Sequence, residues 1–255
     1  MAALHVERSG CGEPFLLLHG AAGSSDTYGW LPDLGRAVVR IDFRGHGRSD
    51  RADSYLLGDY AEDALSVLRE IGPAPVVGHS LGGVVAWTLA QRVPEQVTAI
   101  VLEDPPLYMG EPAEHARNPA IPHFGRLREA ALRWQADGTP VEKAAAVLAA
   151  GDPDRRMAED AHAARAFALL HLDVGVIDAI ADGTALAATD VAAPVRAPAL
   201  ILAASLQPAF PPEHEERLAR THPAVVVRRV PDAAHVIHDH RAHREEYVRT
   251  LVERL

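Results

Sequence analysis

A chain of 255 residues, 48% hydrophobic and 24% charged, has the composition of a folded globular protein and is long enough for one sizeable α/β core. Its net charge of -10 argues against nucleic acid or an anionic membrane surface as a partner, and its single cysteine, Cys11, excludes an internal disulfide and fits a reducing compartment. No apolar run reaches the length of a membrane span, and "MAALHVERSGCGEP" lacks an apolar core of signal-peptide length, so a soluble cytoplasmic protein is expected.

Taken in order, "EPFLLLHG" (13–20) is a short apolar run stopped by glycine, which predicts a buried strand, and "RAVVRIDFRGHG" (36–47) predicts a second that ends at Asp42 in a glycine-rich turn. "LLGDYAEDALSVLREIG" (56–72) has helical spacing and stops at Gly72. "APVVGHS" (74–80) is a strand, "LGGVVAWTLAQRV" (81–93) a helix, and "QVTAIVLED" (96–104) a strand ended by Pro105-Pro106. Continuous apolar strands alternating with helices indicate a parallel sheet covered on both faces. The alternation then breaks. From 107 to 191 the patterns are helical and alanine-rich, as in "FGRLREAALRWQADG" and "PVEKAAAVLAAG", with no convincing strand. "APALILAAS" (197–205) and "AVVVRRVPDAAH" (224–235) resume the strands, around the helix "PPEHEERLARTHP" with proline at its start, and "RAHREEYVRTLVERL" (241–255) closes the chain as a helix. The expected division is a core of 1–106 and 192–255 with a helical lid, 107–191, inserted between two strands of one sheet.

Gly78-His79-Ser80-Leu81-Gly82 fits G-x-S-x-G between a predicted strand and a predicted helix. A turn that sharp strains the serine backbone, so the residues two before and two after must be small. It pushes the serine oxygen out above the N-terminus of the following helix, where the Leu81 N–H and the helix dipole can hold an oxyanion. The bland alternative is a glycine-rich turn with an incidental serine.

With these segments in place the chain resembles the α/β-hydrolase superfamily. "LLLHGAAGSS" looks like the loop after the third strand that supplies the second oxyanion donor, here Ala21; "IDFRGHGRSD" looks like the D-x-R-G-x-G-x-S loop; "VPDAAHVIH" looks like the loop of the catalytic histidine, here His235. The resemblance covers everything outside the predicted lid. It implies an eight-stranded, mostly parallel sheet and a Ser–acid–His triad without a cofactor. His19 and His79 lie within the motifs, near the mouth of the site. The run "HVIHDHRAH" carries histidines 235, 238, 240 and 243, which raises a metal site as the sharper alternative; no second cluster with ligand spacing supplies a carboxylate, so no metal is expected.

The acid is the departure from the pattern. Family members most often carry an aspartate after the seventh strand; the matching position here is Gln207, and no Asp or Glu lies between Pro198 and Pro212. A neutral amide cannot stabilise an imidazolium. Some relatives, zearalenone-type lactone hydrolases among them, take the acid from the end of the sixth strand, which here reads "VLEDPP". Glu103 and Asp104 must point to opposite faces. Asp104 is favoured because it lies nearer the strand's carboxyl end, where ligand sites of open sheets form, and because Pro105 biases it toward an extended backbone.

The expectation is therefore a serine hydrolase of an uncharged ester or lactone: Ser80 the nucleophile, His235 the base, Asp104 the orienting acid, Ala21 and Leu81 the oxyanion donors. The partner is a small apolar molecule, with a homodimer left open. Trp134, Phe124, Met157 and Phe167, with His19 and His79, are the candidate pocket residues. C–C bond hydrolysis, thioester hydrolysis, cofactor-free haloperoxidase or oxygenase chemistry, and ligand sensing on the same fold stay as alternatives.

Overall fold

The computed structural model describes residues 2–152 and 154–255, so Met1 and Pro153, which fall in the expected core and lid spans, lie outside the described residues. The strands are β1 (Val6–Ser9), β2 (Pro14–Leu18), β3 (Ala37–Ile41), β4 (Ala74–His79), β5 (Val97–Glu103), β6 (Ala199–Leu206) and β7 (Val226–Ala234). They form one sheet in the order β1-β3-β2-β4-β5-β6-β7, parallel throughout except for β1 against β3. The sheet thus has seven strands among the described residues, where the resemblance implied eight. β1, which apolar periodicity does not predict, forms the edge. Its pairs Arg40–Glu7 and Arg8–Glu70 put charge along that edge, which disfavours further pairing.

Strand alternation sends successive residues into two cores. Leu16, Leu18, Val76, Ile100, Leu102 and Ile201 face one side, with α1 (Leu57–Ile71), α2 (Leu81–Arg92) and Leu218 of α8 (Pro212–Thr221). Phe15, Leu17, Val77, Val101, Leu200 and Leu202 face the other, with Tyr28 and with Tyr247 and Leu251 of α9 (Arg244–Arg254). The same alternation puts Glu103, two residues after Val101, on the α9 side.

Five helices separate β5 from β6: α3 (Pro112–Ala116), α4 (Ile121–Ala136), α5 (Val141–Ala150), α6 (Glu159–Leu170) and α7 (Val174–Ala181). Alanine, the strongest helix former, dominates α5 and α6, and the Asp173 side chain caps α7 by accepting the Gly175 N–H at 2.9 Å. α5 packs on α6, and α4 on both α6 and α7. Trp134 of α4 is 5% exposed and sits in the core cluster with Ala144, Leu169 and Leu172. That corrects its expected place on a pocket wall: the indole fills the space between helices.

The helical block is fastened to the core at two places. Near α7, the Asp173 N–H donates to the Gly45 carbonyl at 2.8 Å and the Tyr55 hydroxyl donates to Asp173 Oδ2 at 2.9 Å. Near α6, Arg165 Nε donates to Asp239 Oδ2 at 2.7 Å, Arg244 grips Asp160 with two bonds of 2.8 Å, and backbone bonds join Ala158 to Asp239 and Arg241 to Arg156. No helix among the described residues is long and apolar enough to cross a membrane. Because Trp134 is packing rather than surface, Trp134→Ala should cost about 3–5 kcal/mol of stability, read as a shift in the urea unfolding midpoint.

Candidate active site

Ser80 stands between β4 and α2 with φ 51° and ψ -115°, a backbone conformation that side chains rarely adopt. Neighbouring glycines make this possible. A Cβ on Gly78 would run into the backbone of Gly82, and one on Gly82 into the carbonyls of Leu18 and His19. The elbow is strapped to β5 by the Ser80 N–H, which donates to the Glu103 carbonyl at 2.9 Å, and α2 starts as the Val84 N–H reaches the Ser80 carbonyl at 3.1 Å. Ser80 is 8% exposed.

The loop after β2 lies against this elbow. Gly20 approaches so closely that an added Cβ would stand 3.1 Å from Ser80 Cβ and 2.8 Å from His79 Cε1. A tight turn follows, closed by the Gly23 N–H to the Gly20 carbonyl at 3.0 Å, with Ala22 left-handed at φ 58°. Among the described residues neither the Ala21 N–H nor the Leu81 N–H has an acceptor. The turn is held from behind. Asp42, fully buried at the end of β3, accepts the Ser25 N–H at 2.6 Å and the Arg48 N–H at 2.8 Å. Burial alone would raise its carboxyl; the Arg48 and Ser25 N–H groups pull it the other way, and it lies below the usual range. His19 is 1% exposed. Its Nδ1–H donates to the Gly20 carbonyl at 2.8 Å while Nε2 accepts the Phe43 N–H at 3.0 Å, an arrangement only the neutral ring can make. Burial accordingly lowers its pKa. With both nitrogens engaged, His19 is a strut between loops and not the pocket residue expected.

Asp104 is fully buried and His235 Nδ1 lies 2.7 Å from its Oδ2. The carboxylate also accepts the Ala209 N–H at 2.8 Å on Oδ2 and the Ala204 and Phe210 N–H groups, each at 3.2 Å, on Oδ1. All three donors belong to the end of β6 and the loop after it, the segment that has Gln207 where relatives carry the acid. That segment therefore supplies N–H donors to a carboxylate that reaches it from β5. One expected detail is corrected: Asp104 is left-handed at φ 42°, not extended, despite Pro105. β5 ends at Glu103, and the left-handed residue turns the side chain off the strand's alternation while its N–H still reaches the Leu202 carbonyl at 2.8 Å. Aspartate tolerates that region better than most residues.

Glu103 turns the other way. Fully buried on the α9 side, its Oε1 accepts the backbone N–H of His238 at 3.0 Å, and its two oxygens lie 2.9 and 2.8 Å from His238 Nδ1. The His238 ring stacks on Tyr28, centroids 4.2 Å apart. Burial would drive His238 toward the neutral form, but the Glu103 charge raises it above its ordinary value; burial would likewise raise Glu103, and His238 holds it below its ordinary value. Between the two imidazole–carboxylate pairs lies His79. Its Nε2–H donates to the His235 carbonyl at 3.2 Å, and its ring is 4.8 Å from that of His235 and 5.1 Å from that of His238. Burial pushes His79 well below its ordinary value, so it is a neutral donor.

The four C-terminal histidines are thus divided. His235 meets Asp104, His238 meets Glu103, and the rings of His240 and His243 lie 4.5 Å apart on the far side. Among the described residues no group of three or more His, Cys, Asp or Glu is disposed to hold a metal. Of the other expected pocket residues, Phe124 is half-buried against the core, Met157 bridges to His240, and Phe167 lies between the His171 ring and the Arg48 guanidinium, 4.3 Å from its ring. Sequence reasoning passed over His123 and Arg165. His123 is held below its ordinary value by partial burial and then by Arg126, Arg165 and His235, which puts α4 and α6 in the electrostatic neighbourhood of His235.

The sequence profile of the alpha/beta hydrolase fold family matches residues 13–242, and the chain belongs to that family. Over 111 residues it is 39% identical to lipase LipV of Mycobacterium tuberculosis, 40% of this chain and 41% of that protein. Over 109 residues it is 34% identical to the 2-(acetamidomethylene)succinate hydrolase of Mesorhizobium japonicum, 40% of this chain and 38% of that one. These matches span about two fifths of each relative. Across nearly the whole fold the chain superposes on Est816, described as an N-acyl homoserine lactone degrading enzyme, with TM-score 0.69, 24% identity, and coverage of 97% of this chain and 95% of that one.

The Glu103–His238 pair has a pH signature. A raised histidine contributes stability fully below its unfolded value of 6.5 and loses it as pH rises through the folded value. A depressed carboxylate contributes fully above its unfolded value of 4.5 and loses it as pH falls through the folded value. The pair's contribution is therefore complete between these two values. The difference in unfolding free energy between the native protein and His238→Gln should be larger at pH 5.5 than at pH 9, measured by urea denaturation.

Proposed function

We propose that this chain is a serine hydrolase that cleaves a carboxylic ester or lactone through an acyl-enzyme. The observation that carries the reading is the 2.7 Å contact of His235 Nδ1 with buried Asp104, on a loop whose His235 carbonyl is bonded by His79, the residue just before the strained Ser80 elbow. In the proposed reaction Ser80 Oγ attacks the carbonyl carbon as its proton passes to His235 Nε2. The imidazolium keeps its Nδ1–H on Asp104. The Ala21 and Leu81 N–H groups, which have no other acceptor among the described residues, take the carbonyl oxygen as its charge develops. Collapse of the tetrahedral adduct breaks the ester bond, and His235 returns the proton to the departing alcohol. A water then gives His235 a proton, attacks the acyl carbon, and Ser80 is released with its proton restored. The scheme uses no cofactor. In it the α3–α7 block serves as the lid, with Phe124 and Met157 toward the acyl group.

A second reading of the substrate follows from Arg126 and Arg165, two cations that, in addition to partial burial and together with His235, act on His123 and hold it below its ordinary value. They favour a substrate that carries an acidic group over a neutral one. Hydrolysis of p-nitrophenyl acetate and of a p-nitrophenyl hemisuccinate, compared at low and high salt, separates the two, since attraction of an anion weakens with screening.

The catalytic assignment makes graded predictions. A fluorophosphonate probe should label Ser80, located by peptide mass mapping, and Ser80→Ala should fold normally and lose kcat by about five to six powers of ten. Asp104→Asn should lose about four powers of ten, because the imidazole loses its orienting charge. A labelled residue other than Ser80, or near-normal turnover by Ser80→Ala, overturns the assignment.

A further inference from the structure

The end of β5 grips the histidine loop twice. Asp104 holds a ring, that of His235. Glu103, one residue earlier, holds the backbone N–H and the ring of His238, three residues further along the same loop. The second grip falls inside a short 3-10 turn, Ile237–Asp239, whose Ile237 is 1% exposed in the α9-side core. His79, from the elbow itself, bonds the His235 carbonyl and lies edge-on to His238. Serine elbow, His235 and the Glu103–His238 pair therefore touch through one neutral imidazole.

A buried ion pair is weak reason for stability, since apolar residues of equal volume do as well or better; its better-attested use is to fix one arrangement among several. Glu103 and His238, 0% and 2% exposed, meet no substrate in the proposed reaction, yet both form these bonds directly behind the reacting histidine. We propose that Glu103 and His238 are positioning residues for His235: through the His238 backbone and ring, the Glu103 carboxylate fixes the turn that directly follows His235 and so sets its imidazole against Asp104 and Ser80. The groups that face His238 are Glu103 from β5, His79 from β4, Tyr28 from the turn after β2, Tyr247 and Arg244 from α9, His235 and Asp239 on its own loop, and Arg165 of α6 through Asp239. Asp239 Oδ1 lies 3.5 Å from His238 Nε2 without a hydrogen bond between them, so the ring is held on one side by Glu103 and by its stack on Tyr28.

This inference rests on the hydrolase reading for its kinetic readout, and a second readout is independent of it. With p-nitrophenyl acetate, Glu103→Ala should lower kcat about a hundredfold with KM within twofold, the loss that misplacing a reacting group by about 1 Å produces. Glu103→Gln, whose amide oxygen still accepts the His238 N–H, should recover at least half of that loss on a logarithmic scale. In proton NMR the downfield His235 Nδ1–H resonance, assigned by its loss in His235→Gln, should move or broaden in Glu103→Ala and His238→Gln. If Glu103→Ala does not fold, Glu103→Gln and His238→Gln decide. Folded variants with unchanged kcat and an unmoved His235 resonance overturn the proposal, as does a rise in KM alone. Should the native protein neither hydrolyse the ester nor label at Ser80, the hydrolase reading fails, while the NMR response still decides whether Glu103 positions His235.

Discussion

The Asp104 carboxylate, buried at the end of β5 with three backbone N–H donors and one imidazole around it, is the interaction on which the site depends. An anion placed there without partners would cost several kcal/mol. The donors come from the end of β6 and the loop after it, the histidine from the loop after β7, and the carboxylate from β5, so one group unites the ends of three neighbouring strands. Its left-handed backbone is the local strain this requires, of the order of 1–3 kcal/mol for a non-glycine residue. Ser80 is a second strained residue, one strand over, and its N–H bonds the carbonyl of the residue just before Asp104. The two strained residues support each other through that bond.

Environment sorts the histidines into different tasks. His19 and His79 are buried, held neutral, and used for fixed hydrogen bonds between loops; His46, pushed down to about 3 by burial, donates Nδ1–H to the Arg44 carbonyl within the loop after β3. His238 is buried equally deeply but faces Glu103, and its charged form is favoured. His235 is the exception in exposure: its side chain is 34% exposed while its acid partner is 0% exposed, so one nitrogen is fixed on Asp104 and the ring still reaches open space.

The readable parts of the sequence were those whose constraint is local. Two glycines around Ser80 announce the elbow because the turn's own backbone would collide with any side chain there. The lack of an acid at Gln207 pointed to the end of β5, although the two side chains there part through the left-handed turn at Asp104 and not through the strand alternation expected. What could not be read depends on partners far along the chain. Nothing in "LAASLQPAF" indicates that its N–H groups would converge on a carboxylate from another strand. Pro105 argued for an extended Asp104, and the tertiary demand on that carboxylate prevailed over the local preference. Trp134 is an apolar residue on a helix, and periodicity does not separate a residue that faces another helix from one that faces a cavity. β1 was missed because four residues, two half-buried and two exposed, carry too little apolar pattern to register.

Placing the acid on β5 has a consequence for how this chain can vary. Ser80 and Asp104 lie in one β4–α2–β5 unit, closed by local contacts, and the helices α3–α7 come only after it in the chain. With the acid beyond β6, every change in the length of that insertion would lie between nucleophile and acid. Here it lies outside the interval, and a change in its length leaves the register of Ser80 and Asp104 untouched. The Ala204, Ala209 and Phe210 N–H donors and His235, 131 residues from Asp104 in sequence, must be recruited across the insertion, and His235 arrives on a loop with its own anchors. The arrangement keeps Ser80 and Asp104 within one unit and leaves the α3–α7 helices outside it.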